Sequence, residues 1–123
     1  MMQVGDNAFV RELRVERIIV ERNGKVMMEI GSDENGGKIV IYSSGQVPAI
    51  EVRVSKDNGL IEVIAEMGNT AVEISADDNS NGYILLSDAT GKPKFGMGVS
   101  REGVWDVLIL DEALKKRKDI VNR

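Results

Sequence analysis

Apolar and polar positions along the chain recur in two patterns. One alternates: Ile50, Val52 and Val54 are interleaved with Glu51 and Arg53, and Phe95, Met97 and Val99 with Gly96 and Gly98. Period-two alternation places one side of a strand in a core and the other in water. The second pattern is nearly solid. It comprises Ile39-Val40-Ile41-Tyr42, Leu60-Ile61 with Val63-Ile64-Ala65, Tyr83-Ile84-Leu85-Leu86 and Val107-Leu108-Ile109-Leu110, and Ile18-Ile19-Val20 opens the series. Short Val/Ile-rich runs bounded by turns predict strands buried on both faces.

The two patterns combine into a unit of about 22 residues. Met28-Glu29-Ile30, Ile50-Glu51-Val52, Val72-Glu73-Ile74 and, one residue late, Phe95-Gly96-Met97 hold equivalent places, each followed by a polar turn. A fixed period of this size marks stacked supersecondary units, none of which buries its apolar surface alone. Asn23-Gly24, Asn58-Gly59 and Asn81-Gly82 are turn dipeptides, because Asn and Gly tolerate positive φ. Ser44-Gly45, Gly68-Asn69 and Thr90-Gly91 punctuate the opposite ends. Pro48 and Pro93 stand at strand entry, where a missing N–H does little harm. The expected fold is all-β, two strands per repeat and about nine in all. The expected arrangement is a β-helix-like or β-prism-like stack or a meander; short links suggest antiparallel neighbours unless the chain coils, and spacing leaves both open.

The ends depart from the repeat. Residues Phe9 to Glu16 read as a lead-in strand or an amphipathic cap. Asp111-Glu112-Ala113-Leu114-Lys115-Lys116-Arg117-Lys118 places acid before base, as a helix dipole prefers, and predicts a short C-terminal helix. The expected division is a β-repeat domain over 1–110 and a helical tail over 111–123. The basic run Lys115 to Lys118 reads as a solvated helix end, with an acidic-partner contact as the alternative.

Composition narrows the function classes. A net charge of -4 argues against general binding to nucleic acid or an anionic membrane. No apolar stretch approaches the roughly 20 residues needed to span a bilayer, and Met1 to Asn7 does not read as a signal peptide. The expectation is a protein of the cytoplasm, or one assembled there into a larger particle. The chain has neither His nor Cys, so the commonest general base, the commonest transition-metal ligand and the thiol nucleophile are all missing. Catalysis would rest on carboxylates, Lys, Ser or Tyr, and the expectation is a protein that is not an enzyme.

Three motifs carry candidate chemistry. Asp77-Asp78-Asn79-Ser80-Asn81-Gly82-Tyr83-Ile84-Leu85-Leu86-Ser87-Asp88 is similar to an EF-hand calcium loop: oxygen donors at positions one, three and five, Gly at six and a carboxylate at twelve. Asp77, Asn79, Asn81, the Tyr83 carbonyl and Asp88 are its candidate Ca²⁺ ligands. The terminal Asp in place of Glu, and the strand-like flanks, favour an ordinary Asx-rich turn with no cofactor. Glu29, Glu51 and Glu73 recur at one repeat position and form an acidic ladder that marks the wet side of the strands; as paired acids they raise glycoside hydrolysis, without a pocket signature. The aromatics Phe9, Tyr42, Tyr83, Phe95 and Trp105 lie within apolar runs and read as core, not as glycan platforms.

Units such as Ile18-Ile19-Val20-Glu21-Arg22-Asn23-Gly24, repeated over about Arg14 to Leu110, resemble the trimeric β-helical segments of phage tail fibres and uncharacterised bacterial β-repeat proteins. The resemblance implies an intertwined shaft in which three chains share one apolar interior, and it implies no catalytic residues. It fits the doubly apolar strands, which require a third layer that neighbouring copies supply; a self-contained β-sandwich is the alternative. The expected function is a structural, oligomerising or adhesive module, a homotrimer presenting its turns to a protein or glycan partner. The alternative is a calcium- or glycan-binding module that uses the acidic turns.

Overall fold

The structure, a computed structural model, describes residues 11–99 and 105–109. The expected helix over 111–123, with Lys115 to Lys118, lies outside these residues, as does Phe9. Residues 11–17 are exposed and non-regular rather than a strand. From there the described chain is all β: β1 (Ile18–Arg22), β2 (Lys25–Asp33), β3 (Gly36–Tyr42), β4 (Pro48–Ser55), β5 (Asn58–Ile64), β6 (Thr70–Ala76), β7 (Gly82–Ser87), β8 (Pro93–Val99) and β9 (Trp105–Ile109). They form one sheet in sequence order, every neighbour antiparallel, an open meander. Substantial contact runs only between neighbouring strands, so no second layer covers either face among the described residues. The self-contained sandwich is not what forms.

Register converts the sequence patterns into rows, because directly paired residues share a face. One row runs Val20, Met28, Ile41, Ile50, Val63, Val72, Leu86 and Phe95 across β1–β8. A second, two residues along each strand, runs Ile18, Ile30, Ile39, Val52, Ile61, Ile74, Ile84 and Met97. Pairing carries both rows into β9 at Ile109 and Val107. The opposite face carries Ile19, Glu29, Val40, Glu51, Glu62, Glu73, Leu85 and Gly96 as its middle row.

The connections explain the register. Arg22 pairs with Lys25 around Asn23-Gly24, both at positive φ, the two-residue turn whose twist suits a hairpin. Four longer turns share one hydrogen-bond pattern: the amide of the first residue donates to the carbonyl of the fifth, and the amide of the fourth to the carbonyl of the first. They begin at Ser43, Ala65, Asp77 and Asp88. The fourth residue takes positive φ in each: Gln46, Gly68, Ser80 and Gly91. Pro48 and Pro93 open β4 and β8 at register slips beside two of these turns, where a missing N–H is tolerated; Thr70 opens β6 at the same slip beside a third.

Two expected turns move. Ser55 pairs with Asn58, so Lys56 and Asp57 make that turn and Asn58-Gly59 begins β5. Lys56 itself adopts φ of 55°. Likewise Asn81 closes the Asp77 turn and Gly82 is already in β7.

Candidate functional site

The five candidate calcium ligands are divided by β7. Asp77, Asn79 and Asn81 share one turn, where Asp77 Oδ1 accepts the amides of Asn79 (2.9 Å) and Asn81 (3.0 Å). Tyr83 lies in β7. Asp88 opens the turn at the other end of that strand, roughly 20 Å away for six extended residues. The five donors do not converge on one ion while β7 is a strand. Asp88 Oδ1 instead accepts the Thr90 hydroxyl (2.6 Å) and the amides of Thr90 (2.9 Å) and Lys92 (3.0 Å). The Thr90 hydroxyl bond, then the Lys92 amide, hold its pKa down at about 2. The two ends of the apparent loop are separate Asx turns. Among the described residues, no cluster of three or more carboxylates is placed to hold a metal ion.

The acidic ladder forms, but not as a wet stripe. Glu51, Glu62 and Glu73 pair directly across β4, β5 and β6, an arrangement of like charges that needs compensation. Arg53 supplies part of it, donating from Nη2 to Glu62 at 2.7 Å with its Nε 3.4 Å from Glu51. The Thr70 hydroxyl donates to the other Glu62 oxygen at 2.7 Å. The Tyr83 hydroxyl donates to Glu73 at 2.7 Å. That bond, reinforced by burial, raises the Tyr83 pKa. Arg17 reaches Glu29 at 2.6 Å. Glu29, Glu62 and Glu73 are thus engaged as hydrogen-bond acceptors and Glu51 as an ion-pair partner.

Long polar side chains lying across this face cover its apolar residues. Val40, paired between Glu29 and Glu51, is 3% exposed, and Leu60, paired with Arg53, is 6% exposed. Gly96 and Gly98 admit Leu85 and Tyr83, because a Cβ at either would stand 3.2 Å from Leu85 Cδ1 or 3.0 Å from Tyr83 Cβ. At Gly98 the Gly82 carbonyl oxygen stands equally near, 3.0 Å from the same Cβ position, so both backbone and side chains of β7 approach these strand glycines closely. In the middle of the sheet the doubly apolar runs are thus covered on this face without a further layer, whereas Ile19 at the β1 edge stays 39% exposed.

The other face reverses the usual order of burial. Its Ile and Val residues remain exposed, 36% as whole residues at Ile50, 40% at Ile61 and Val63 and 47% at Val20, whereas Glu51 and Glu62 are half-buried. The side chains of Glu51 and Glu62, on the polar face, are 17% and 12% exposed. Neither row of this face contains a charged residue over β1–β8. Contiguous apolar surface on this scale marks an interaction site, whereas single exposed hydrophobics do not. The apolar face is the candidate functional site. Sequence reasoning expected strands apolar on both sides and cover supplied by other copies, but missed that the open surface is confined to one face of a single sheet. The signal was present in the alternation of Ile50 to Val54, continued across strands of like period.

No described residues form a helix long and apolar enough to cross a membrane. No protein-family model matches the chain, and no curated protein matches it.

Proposed function

We propose that this chain is a non-catalytic structural module that buries its apolar sheet face against copies of itself, forming a homotrimer of β-prism-like shape. The observation that carries the reading is the reversed burial: glutamates are more covered than the isoleucines on the other side of the same strands. Burying a Val, Leu or Ile side chain contributes roughly 1.5–3 kcal/mol. Covering the third or more that remains exposed at eleven of the sixteen residues in the two rows is therefore on the order of 10 kcal/mol per chain, comparable to a whole domain's net stability. It also matches the roughly 4–15 kcal/mol that association costs in lost freedom.

The dimensions agree. Nine strands at about 4.8 Å spacing and roughly 20 Å in length give a face of about 800 Å², the share one partner contributes to a stable interface. Three faces roughly 20 Å wide, set as a triangular prism, lie about 6 Å from the axis. That is close to half the ~10 Å between packed sheets, so the side chains fill the middle. The polar face and the turns then point outward, where they present Asx-rich loops to a partner as part of a larger particle.

Light scattering during size exclusion, with and without EDTA, tests this. The expected mass is three chains in both conditions. A monomer in both conditions sinks the reading, and a mass that falls with EDTA transfers the weight to calcium in the acidic turns.

A further inference from the structure

The apolar face is tall along one edge and low along the other. Beyond the row of Ile18 to Met97, at the end of the strands nearest the Asp77 turn, register places Ser32 opposite Gly37, Val54 opposite Gly59 and Ala76 opposite Gly82. The far row is filled by larger groups, among them Ile41, Val63 and Leu86. Open depressions lie along the low edge: one of about 440 Å³ over Gly37 and Gly59, another of about 380 Å³ over Gly82.

Nothing within one chain requires glycine at the first two positions. A Cβ at Gly37 or Gly59 meets no atom within 4 Å, and at Gly82 the nearest is the Ser75 carbonyl at an ordinary 3.9 Å. None of the three has positive φ. Gly36 is the contrast: its φ is +145° and a Cβ would stand 3.1 Å from Val54. Gly37 and Gly59 are the second residues of β3 and β5 and Gly82 the first of β7, so the missing side chains leave room at the strand entries for close approach, and at Gly37 and Gly59 no atom of the same chain takes it up.

The face fits a second copy, because its two apolar rows carry no charge over β1–β8, it has the area of a stable interface and it carries its own complement on its opposite edge, although Lys38 and Arg53 border the depression over Gly37 and Gly59. Two rotations bring like faces together. An axis parallel to the strands sets tall edge on tall edge and leaves the depressions empty. An axis parallel to the hydrogen-bonding direction sets tall on low, each strand level with its own counterpart. We infer that copies pack about an axis parallel to the hydrogen-bonding direction, with Ile41, Val63 and Leu86 of one copy seated over Gly37, Gly59 and Gly82 of the next. This geometry rests on the homo-oligomeric function proposed above and specifies it.

The chain contains no cysteine, so introduced pairs report cleanly. Gly59 and Val63 lie four residues apart on one strand, roughly 13 Å, too far for a disulfide within a chain. Under oxidation the double variant Gly59→Cys/Val63→Cys is expected to form covalent multimers on non-reducing gels, whereas Gly59→Cys and Val63→Cys alone form none. Cross-linking by either single variant, or none by the double variant, overturns the geometry if light scattering still gives an oligomer. A monomeric parent chain overturns the functional proposal itself. Should the double variant misfold, Gly59→Leu serves instead. It should raise the dissociation concentration at least tenfold with an unchanged far-ultraviolet dichroism spectrum, and unchanged assembly overturns the proposal.

Discussion

The two faces of this sheet share the same strands and the same hydrogen-bond ladder, yet they solve opposite problems. The polar face is finished within one chain. Glu51, Glu62 and Glu73 are set side by side, and Arg53, Thr70 and Tyr83 satisfy them while the long side chains roof Val40 and Leu60. The apolar face has rows as regular but no roof, since Val and Ile are too short to cover their neighbours across a sheet. The difference teaches that a single layer seals itself only where its side chains are long enough to lie down. Where they are short and apolar, the cover comes from elsewhere.

A charge in the middle of the apolar face should break the comparison most strongly. Ile61 is already 40% exposed in one chain, so Ile61→Glu costs an isolated chain little, yet it buries an unpaired carboxylate in any face-to-face assembly. The expected outcome is loss of assembly by at least a hundredfold in concentration, read by sedimentation, with strand content unchanged by circular dichroism. Retention of the parent mass would mean that the apolar face is not the interface.

On the polar face the effect should be one of stability, not of mass. Arg53→Ala removes the cation shared by Glu51 and Glu62 and leaves like charges opposed. We expect a loss of about 1–2 kcal/mol in urea denaturation, midway between a charged hydrogen bond and an exposed ion pair, with oligomeric mass preserved.

The smallest effect is set by pH. The hydrogen bond to Glu73 raises the Tyr83 pKa above its ordinary 10.0. A group raised in the folded state contributes stability that is complete below the unfolded pKa and is lost as pH rises through the folded one. Tyr83→Phe should therefore lower stability modestly at neutral pH, with the difference from the parent shrinking above pH 10. Ultraviolet titration of the parent should show one phenol, missing from the variant, ionising above that pH. A normal titration there would show that the Tyr83–Glu73 bond contributes nothing.

Much of this was legible from residue patterns. The β class, the strand segments, the prolines at strand entry and the glycine-containing turns at Ser44-Gly45, Gly68-Asn69 and Thr90-Gly91 follow from periodicity and local backbone preference, which act over a few residues. Asn58-Gly59 misled because Lys56 took the positive φ in its place, and neighbouring residues compete closely for such a role. The Asp77 to Asp88 spacing misled for a related reason. Twelve residues form a closed loop only if they bend, and β7 extends six of them.

What the sequence determined by itself is which side chains share a face, since the alternation of Ile50 to Val54 and of Phe95 to Val99 is a property of any extended chain. What only the tertiary structure decided is which face is covered. Burial depends on side chains brought together from neighbouring strands, and their register made Glu62 more enclosed than Ile61 beside it.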